Sequence, residues 1–428
     1  MKQRGRHRRR RRGRVLRGFL TGTALALTAA ATMISASQAT VSDGPGALEP
    51  LTSSADTAAL RLTEEAVPPA ALDRLAAGMG PSVGVGEALS GAARSLRDAA
   101  DCTGGERDAL PVSPTATRAY CWNADDTAGW EPGAVTTSGD ADDDGLWGAH
   151  RVIVSGWSRG SGPVADRGLA RVAFVDADDT DRLSYTWALL AVPVDGGRDY
   201  RGLVSRVSGM VWYQDKLLVT AGDGDRAALY VYDVNRIHRA TVAGAAVGRV
   251  PGGWSAHGAP YVLPAVASYR LSGGPDAPRP ATVSLDRSTA PDTLVAGEWT
   301  LDDDRGARLW RYAFDTAPGR AGLLAGDPAG RVGATQAYRT EANGVRGVLA
   351  HDDGWYVSRG GAEDGRGTLW RQDADGARAA RCGADDSRDC WSPRTESLSY
   401  WAQTGDVWTQ SGRVLFALPL ASIDRSAE

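Results

Sequence analysis

From about residue 117 onward, apolar positions come in blocks of four to ten residues bounded by Gly, Asp, Asn or Pro. Examples are HRVIVSGW (150–157), GLARVAFVD (168–176), YTWALLAVPV (185–194), TLVAGEW (293–299) and RVLFALPL (413–420). β-Branched and aromatic residues fill the blocks, turn formers separate them, and no helical period of ten or more residues intervenes. The pattern predicts short strands in an all-β body and argues against an α/β layout.

Four longer stretches repeat one phrase: 209–234, 281–315, 347–375 and 397–420. Each has a strand, a tight turn, a second strand ending in Gly, Glu or Ser, an exposed turn and a third strand of the type (L/V)-(Y/W/F)-x-(Y/F/L). Their starts are roughly 50 to 70 residues apart, which is the signature of stacked or radial units. Three consecutive antiparallel strands per unit predict a β-propeller of five to seven blades over residues 115–428. A β-sandwich with long insertions explains the strands equally well but not the repetition. Trp212, Trp254, Trp299, Trp310, Trp355, Trp370 and Trp401 recur with the phrase and are expected mainly between blades, with one or two free to stack on a ring-shaped ligand.

The first 114 residues read differently. MKQRGRHRRRRRGRVLR (1–17) carries ten positive charges and no acid, and a short apolar run and Ser37-Gln38-Ala39 follow it. That order predicts a signal peptide over 1–39, with transient membrane contact and a secreted or cell-surface destination. The pair Arg11-Arg12 admits a twin-arginine route as well as the general one. A basic nucleic-acid-binding arm and a retained anchor are the competing readings; the apolar run is short for a span. Residues 40–114, rich in Ala, Ser, Thr, Gly and Pro, are expected to be a flexible linker with one or two weak helices. The helical stretches are AALDRLAAGM (70–79) and GEALSGAARSLRDAA (86–100), the second with Leu89, Ala93, Leu96 and Ala100 on one face.

The charge balance then narrows the partners. Setting aside the ten basic residues of the leader leaves 38 Lys and Arg against 52 Asp and Glu, a net charge of −14. Such a body is unsuited to nonspecific nucleic-acid binding, which depends on phosphate neutralisation. Four cysteines, Cys102, Cys121, Cys382 and Cys390, fit an oxidising compartment. Three pairings are open, of which Cys102 with Cys121 and Cys382 with Cys390 is the local one. Zinc is disfavoured, because no Cys-x-x-Cys spacing occurs and there are only five His.

The segments YCWNADD (120–126), HRVIVSGW (150–157), VSGMVWYQDKLLVTA (207–221), YVLPAVASY (261–269), GVLAHDDGWYVSRG (347–360) and RTESLSYWAQTGDVWTQSGRVLFALPL (394–420) resemble a family of secreted actinobacterial, Streptomyces-like proteins. The resemblance covers about residues 115–420. It implies an exported, propeller-like body and carries over no activity or catalytic residue.

Candidate chemistry is sparse. Asp140, Asp142, Asp144 and Gly145 match the opening of a calcium loop, but Arg151 stands where its closing Glu belongs. Calcium is the one cofactor this pattern admits, held by a nonstandard site; Asp176, Asp178 and Asp179, and Asp302, Asp303 and Asp304, are weaker versions. Glu298 and Glu396 near strand ends, and His257 and His351 in turns, are the candidates for acid, base or metal-assisted work at a channel mouth. No Gly-x-Ser-x-Gly elbow, His-Glu-x-x-His helix or P-loop occurs, and Ser158 reads as a strand-end residue. The expected function is a noncatalytic binding or structural protein outside the cell, with a glycan or protein partner. The alternative is a calcium-assisted hydrolase or lyase acting on a sugar or lactone.

Overall fold

The computed structural model describes residues 44–163, 166–222, 227–273, 277–301, 306–361 and 365–427. The leader expected over 1–39 and the acids Asp302, Asp303 and Asp304 lie outside the described residues.

The short apolar blocks form strands, as expected, and these pair in sequence order into antiparallel meanders. The first comprises Trp130–Thr137, Val152–Arg159, Ala170–Asp176 and Ser184–Val194. The second comprises Met210–Tyr213, Lys216–Thr220, Ala227–Asp233 and Tyr261–Leu271. The third is Thr282–Asp286, Thr293–Gly297, Ala307–Ala313 and Gln336–Thr340. The fourth is Val345–His351, Gly354–Arg359, Thr368–Gln372 and Ala377–Ala379. The fifth takes three strands from the C-terminal part, Ser399–Trp401, Asp406–Ser411 and Val414–Pro419, and its fourth, Arg118–Cys121, from before the first meander. Tight two-residue turns at Gln214-Asp215 and Asp352-Asp353 link leading strands to their neighbours, with Gln214 and Asp352 at φ 52° and 50°. Positive φ matches the twist of a two-residue hairpin.

The long strand Tyr261–Leu271 joins two meanders. It runs parallel to Ser184–Val194 over Tyr261 to Pro264 and antiparallel to Ala227–Asp233 beyond. The result is an eight-strand path whose two end strands, Trp130–Thr137 and Met210–Tyr213, pack against each other, so the path is nearly closed.

Each sheet is apolar on both faces because each is covered on both. Side chains alternate across a strand, and in Val152–Arg159 this sends Val152 and Val154 into one core and Ile153 and Trp157 into another. The cores follow one another in a cycle. Val154 meets Trp212 between the first and second meanders. Val211 and Leu218 meet Leu285 and Leu294 between the second and third. Val295 and Leu309 meet Val348 and Val357 between the third and fourth, and Leu349 and Tyr356 meet Val407 and Phe416 between the fourth and fifth. Trp408 and Leu415 then meet Ile153 and Trp157, returning to the first. Trp212, Trp310, Trp355, Trp370 and Trp401 are buried in these layers, as anticipated; Trp254 is buried instead on a separate hairpin, stacked on Tyr200, and Trp299 has 52% of its surface exposed.

The segment expected as a flexible linker is instead part of this body from Gly44 on. Leu62–Ala66 adds antiparallel to the edge of Tyr261–Leu271. Helix Pro69–Met79 forms as expected and buries Leu72, Leu75 and Met79. The second helix is shorter than its pattern, Val85–Ser90, and ends at Gly91. Ala93 and Leu96 share no helical face: Arg94–Ser95 is an edge strand on Ser184–Val194. Apolar residues in this segment are few and aperiodic, and Leu60, Leu62 and Leu75 are fully buried by sheet edges distant in the chain.

Disulfides join Cys102 to Cys121 and Cys382 to Cys390. The first ties the N-terminal segment to the strand that completes the fifth sheet. With its partners 19 positions apart in sequence, loop-closure entropy assigns it about 3 kcal/mol. The Cys102→Ser/Cys121→Ser variant should lose about that much in urea unfolding; an unchanged midpoint would contradict this.

Candidate functional site

The leading strands of the second to fifth meanders bring the residues at their starts to one cavity. Arg206 and Ser208 precede Met210–Tyr213, Arg279 precedes Thr282–Asp286, Arg346 opens Val345–His351, and Glu396 precedes Ser399–Trp401. Together with Trp299, from the turn after Thr293–Gly297, they line one cavity of about 290 Å³.

Glu396 is the hub. Arg206 Nη2 donates to its Oε1 at 2.5 Å and Arg346 Nη1 donates to the same oxygen at 2.8 Å. The carboxylate side chain is 7% exposed, whereas that of Arg206 is 51% exposed. Arg279 Nη1 donates to the Ala227 carbonyl at 2.6 Å, which anchors the guanidinium at the wall. Among the described residues, three guanidiniums and one carboxylate therefore line this mouth, and two of the three bond the carboxylate directly. Arginine presents a rigid fork matched to planar oxyanions. Trp299 adds an exposed aromatic face to the same wall.

The candidates read from the sequence are not brought together. Glu396 lines the mouth. Glu298 lies next to Trp299 but accepts from the Arg308 backbone N–H at 2.9 Å and faces Arg308 Nε at 3.6 Å, a strand-end role. His257 packs its ring edge-on to Trp130 at 6.1 Å, with Nδ1 at 2.8 Å from the Ala245 carbonyl oxygen. His351 sits at the far end of its strand, 3.6 Å from Asp352 and with its ring 4.7 Å from that of Tyr400. Among the described residues Glu396 is the one carboxylate lining the mouth. Ser158 is buried and accepts from the Val207 N–H at 2.8 Å, which makes it a structural bond.

The expected calcium loop is also not formed. Asp140 lies on the short helix Ser138–Ala141 and turns inward, where Oδ2 accepts from Thr136 Oγ1 at 2.6 Å and Ser399 Oγ at 2.7 Å. Asp142 and Asp144 turn outward and accept from the backbone N–H groups of Asp144 and Leu146. Asp176 and Asp179 likewise accept from the N–H groups of Asp178 and Asp181. Among the described residues, the one cluster of metal-binding side chains within reach of each other is Cys102, Glu106 and Cys121. Its two sulfurs are bonded to one another, which removes them as ligands.

Asp140 is nevertheless informative. Burial, partly offset by the two hydroxyl donors, pushes its pKa up to about 6 from 3.8. A carboxyl with a raised pKa stabilises the fold in its protonated form: that contribution is complete below about pH 4 and lost as pH rises through about 6. Two pKa units correspond to about 3 kcal/mol. Urea unfolding of Asp140→Asn should therefore lack the fall in stability that the natural protein shows between pH 4 and pH 7. Parallel pH profiles for the two proteins would contradict this.

The residues of this mouth that sequence reasoning missed are Arg206, Arg279 and Arg346. The available signal was an arginine at the polar-to-apolar transition opening three separate repeats, in SRVSGM, RPATV and VRGVL.

No protein-family model and no curated protein matches the chain. Among solved structures, a gluconolactonase from Xanthomonas campestris is similar over 80% of this chain and 98% of its own, with 14% identity and a TM-score of 0.29. A GH43_1 enzyme from Xanthomonas citri complexed with xylotriose is similar over 83% and 95%, with 11% identity and a TM-score of 0.29. Overlaps this loose carry no residue and no reaction across to this chain.

Proposed function

We propose that this protein is an exported five-bladed β-propeller that binds an acidic sugar, a uronate or a glycan ending in one, at its arginine-lined mouth. The five cores following one another in a cycle support the propeller, as does the strand from before the first meander that completes the fifth sheet. Two disulfides support a destination outside the cytoplasm. No helix of the described residues is long and apolar enough to cross a membrane.

The observation that carries the ligand class is the Arg206–Glu396–Arg346 bridge beside exposed Trp299 in a single cavity. At about 290 Å³ the cavity lies at the small end of ligand pockets, roughly 300 to 1,000 Å³, a size for a single ring. The guanidiniums ask for a carboxylate, Glu396 accepts hydroxyl hydrogens, and Trp299 offers a face to the ring. A dense dianion such as phosphate would meet the Glu396 charge; calcium would meet three guanidiniums. Calorimetric titration with glucuronate and with glucose tests this reading. Glucuronate should bind at least tenfold more tightly, with an advantage that shrinks as salt is added. Equal affinities would overturn it.

A second reading, hydrolysis of a sugar or lactone, is favoured by one detail. Both arginines bond Oε1 of Glu396, which leaves Oε2 as the oxygen to address a substrate or water. Turnover of a uronolactone that disappears in Glu396→Gln would support it.

A further inference from the structure

A larger opening lies at the other ends of the leading strands, between the third and fourth meanders. It is a cleft of about 1,190 Å³ whose walls come from the hairpins at Ser288-Thr289, Asp352-Asp353 and Asp373–Asp375. Its floor is aromatic: Trp355 and Tyr338 meet edge-to-face at 5.5 Å, and Leu48 and Pro50 extend the apolar surface. Arg311 lies over Trp355 with its guanidinium carbon 4.9 Å from the ring centre. Its Nη1 pairs with buried Asp286, while its Nε is buried and has no hydrogen-bond partner. Arg371 Nη1 donates to Asp373 at 2.8 Å, and its Nε lies 3.3 Å from Asp424.

Five aspartates line this cleft, Asp352, Asp353, Asp373, Asp375 and Asp424, against three arginines, Arg311, Arg371 and Arg378. Neither a polyanion nor a polycation suits that mixture, because each meets several like charges. Hydroxyl groups suit it, since each can donate to a carboxylate and accept from a guanidinium. A pyranose chain also brings an apolar ring face for half-buried Tyr338, which packs on buried Trp355. The cleft shares Ser288 and Asp352 with a smaller cavity of about 200 Å³, lined also by Arg287, His351 and Tyr400, large enough for one terminal ring.

We infer that this cleft is a second binding site, for a neutral oligosaccharide of several rings, at the end of the ring opposite the arginine mouth. It is independent of the acidic-sugar reading, because the two cavities share no lining residue.

The test is calorimetric titration of the protein with cellotetraose, xylotetraose, maltotetraose and chitotetraose in turn. Asp353 and Asp375 are exposed hairpin residues, so Asp353→Ala/Asp375→Ala is expected to fold, and thermal unfolding checks that it does. At least one tetrasaccharide should bind with a Kd below about 1 mM, and the double variant should weaken it tenfold or more. Arg346→Ala, at the other mouth, should leave it within twofold. The inference is overturned if none of the four binds below 10 mM. It is also overturned if Arg346→Ala removes binding as strongly as the cleft variant, or if tetragalacturonate or tetralysine binds the cleft more tightly than every neutral sugar.

Discussion

Arg346→Ala should weaken glucuronate binding by about 10- to 100-fold while leaving glucose binding within twofold. The magnitude follows from one charge-assisted hydrogen bond, about 1.5–3 kcal/mol. Arg346 is 31% exposed and bonds the same Glu396 oxygen as Arg206, so its loss removes one of two paired guanidiniums without emptying a core. Arg346→Lys should recover only part of the loss, because an ammonium keeps the charge but not the planar pair of donors. Calorimetry of the three proteins against both sugars measures this. An equal loss for glucuronate and glucose would mean that the carboxylate is recognised elsewhere.

The largest expected effect on stability is at the other end of the ring. Asp286 and Arg311 form a buried ion pair, with side-chain exposures of 0% and 5%. Asp286 also accepts from the Ser288 N–H at 2.8 Å and so holds the hairpin beside the cleft. Asp286→Ala leaves the Arg311 guanidinium buried and uncompensated, which costs about 3–5 kcal/mol. Replacing both partners, Asp286→Ala with Arg311→Met, should recover much of that loss, since the cost lies in the orphaned charge. Urea unfolding of the single and double variants checks the pair. A single-variant loss below about 1 kcal/mol would contradict the burial argument.

The strands were legible because turn formers punctuate them, as at Gln214-Asp215 and Asp352-Asp353, and because four repeats share a phrase. Two-fold alternation was not legible. In HRVIVSGW both faces of the strand are covered, so Val152 and Ile153 are equally apolar although they enter different cores. The strand Arg118–Cys121 was not read from the sequence, since it is only four residues long and its partner Val414–Pro419 lies almost at the other end of the chain. The same holds for Leu62–Ala66, which looked like linker until Tyr261–Leu271 supplied an edge.

The site was harder to read than the fold. A catalytic search selects acids and histidines, and it found Glu396 while passing over the arginines that define its environment. Arg206, Arg279 and Arg346 are about 70 residues apart from one to the next and acquire meaning only when the leading strands stand side by side. The acidic run at Asp140 to Asp144 misled for a local reason. Asp140 sits on the helical turn Ser138–Ala141 and reaches the fifth sheet through Ser399, so alternate carboxylates do not share a centre.

The most direct test of the central claim is a crystal structure of the protein soaked with glucuronate. The expected result places the sugar carboxylate about 2.7–2.9 Å from the guanidinium nitrogens of Arg206 or Arg346, with the ring against Trp299. A carboxylate turned to solvent, or a sugar bound anywhere but this mouth, would contradict it.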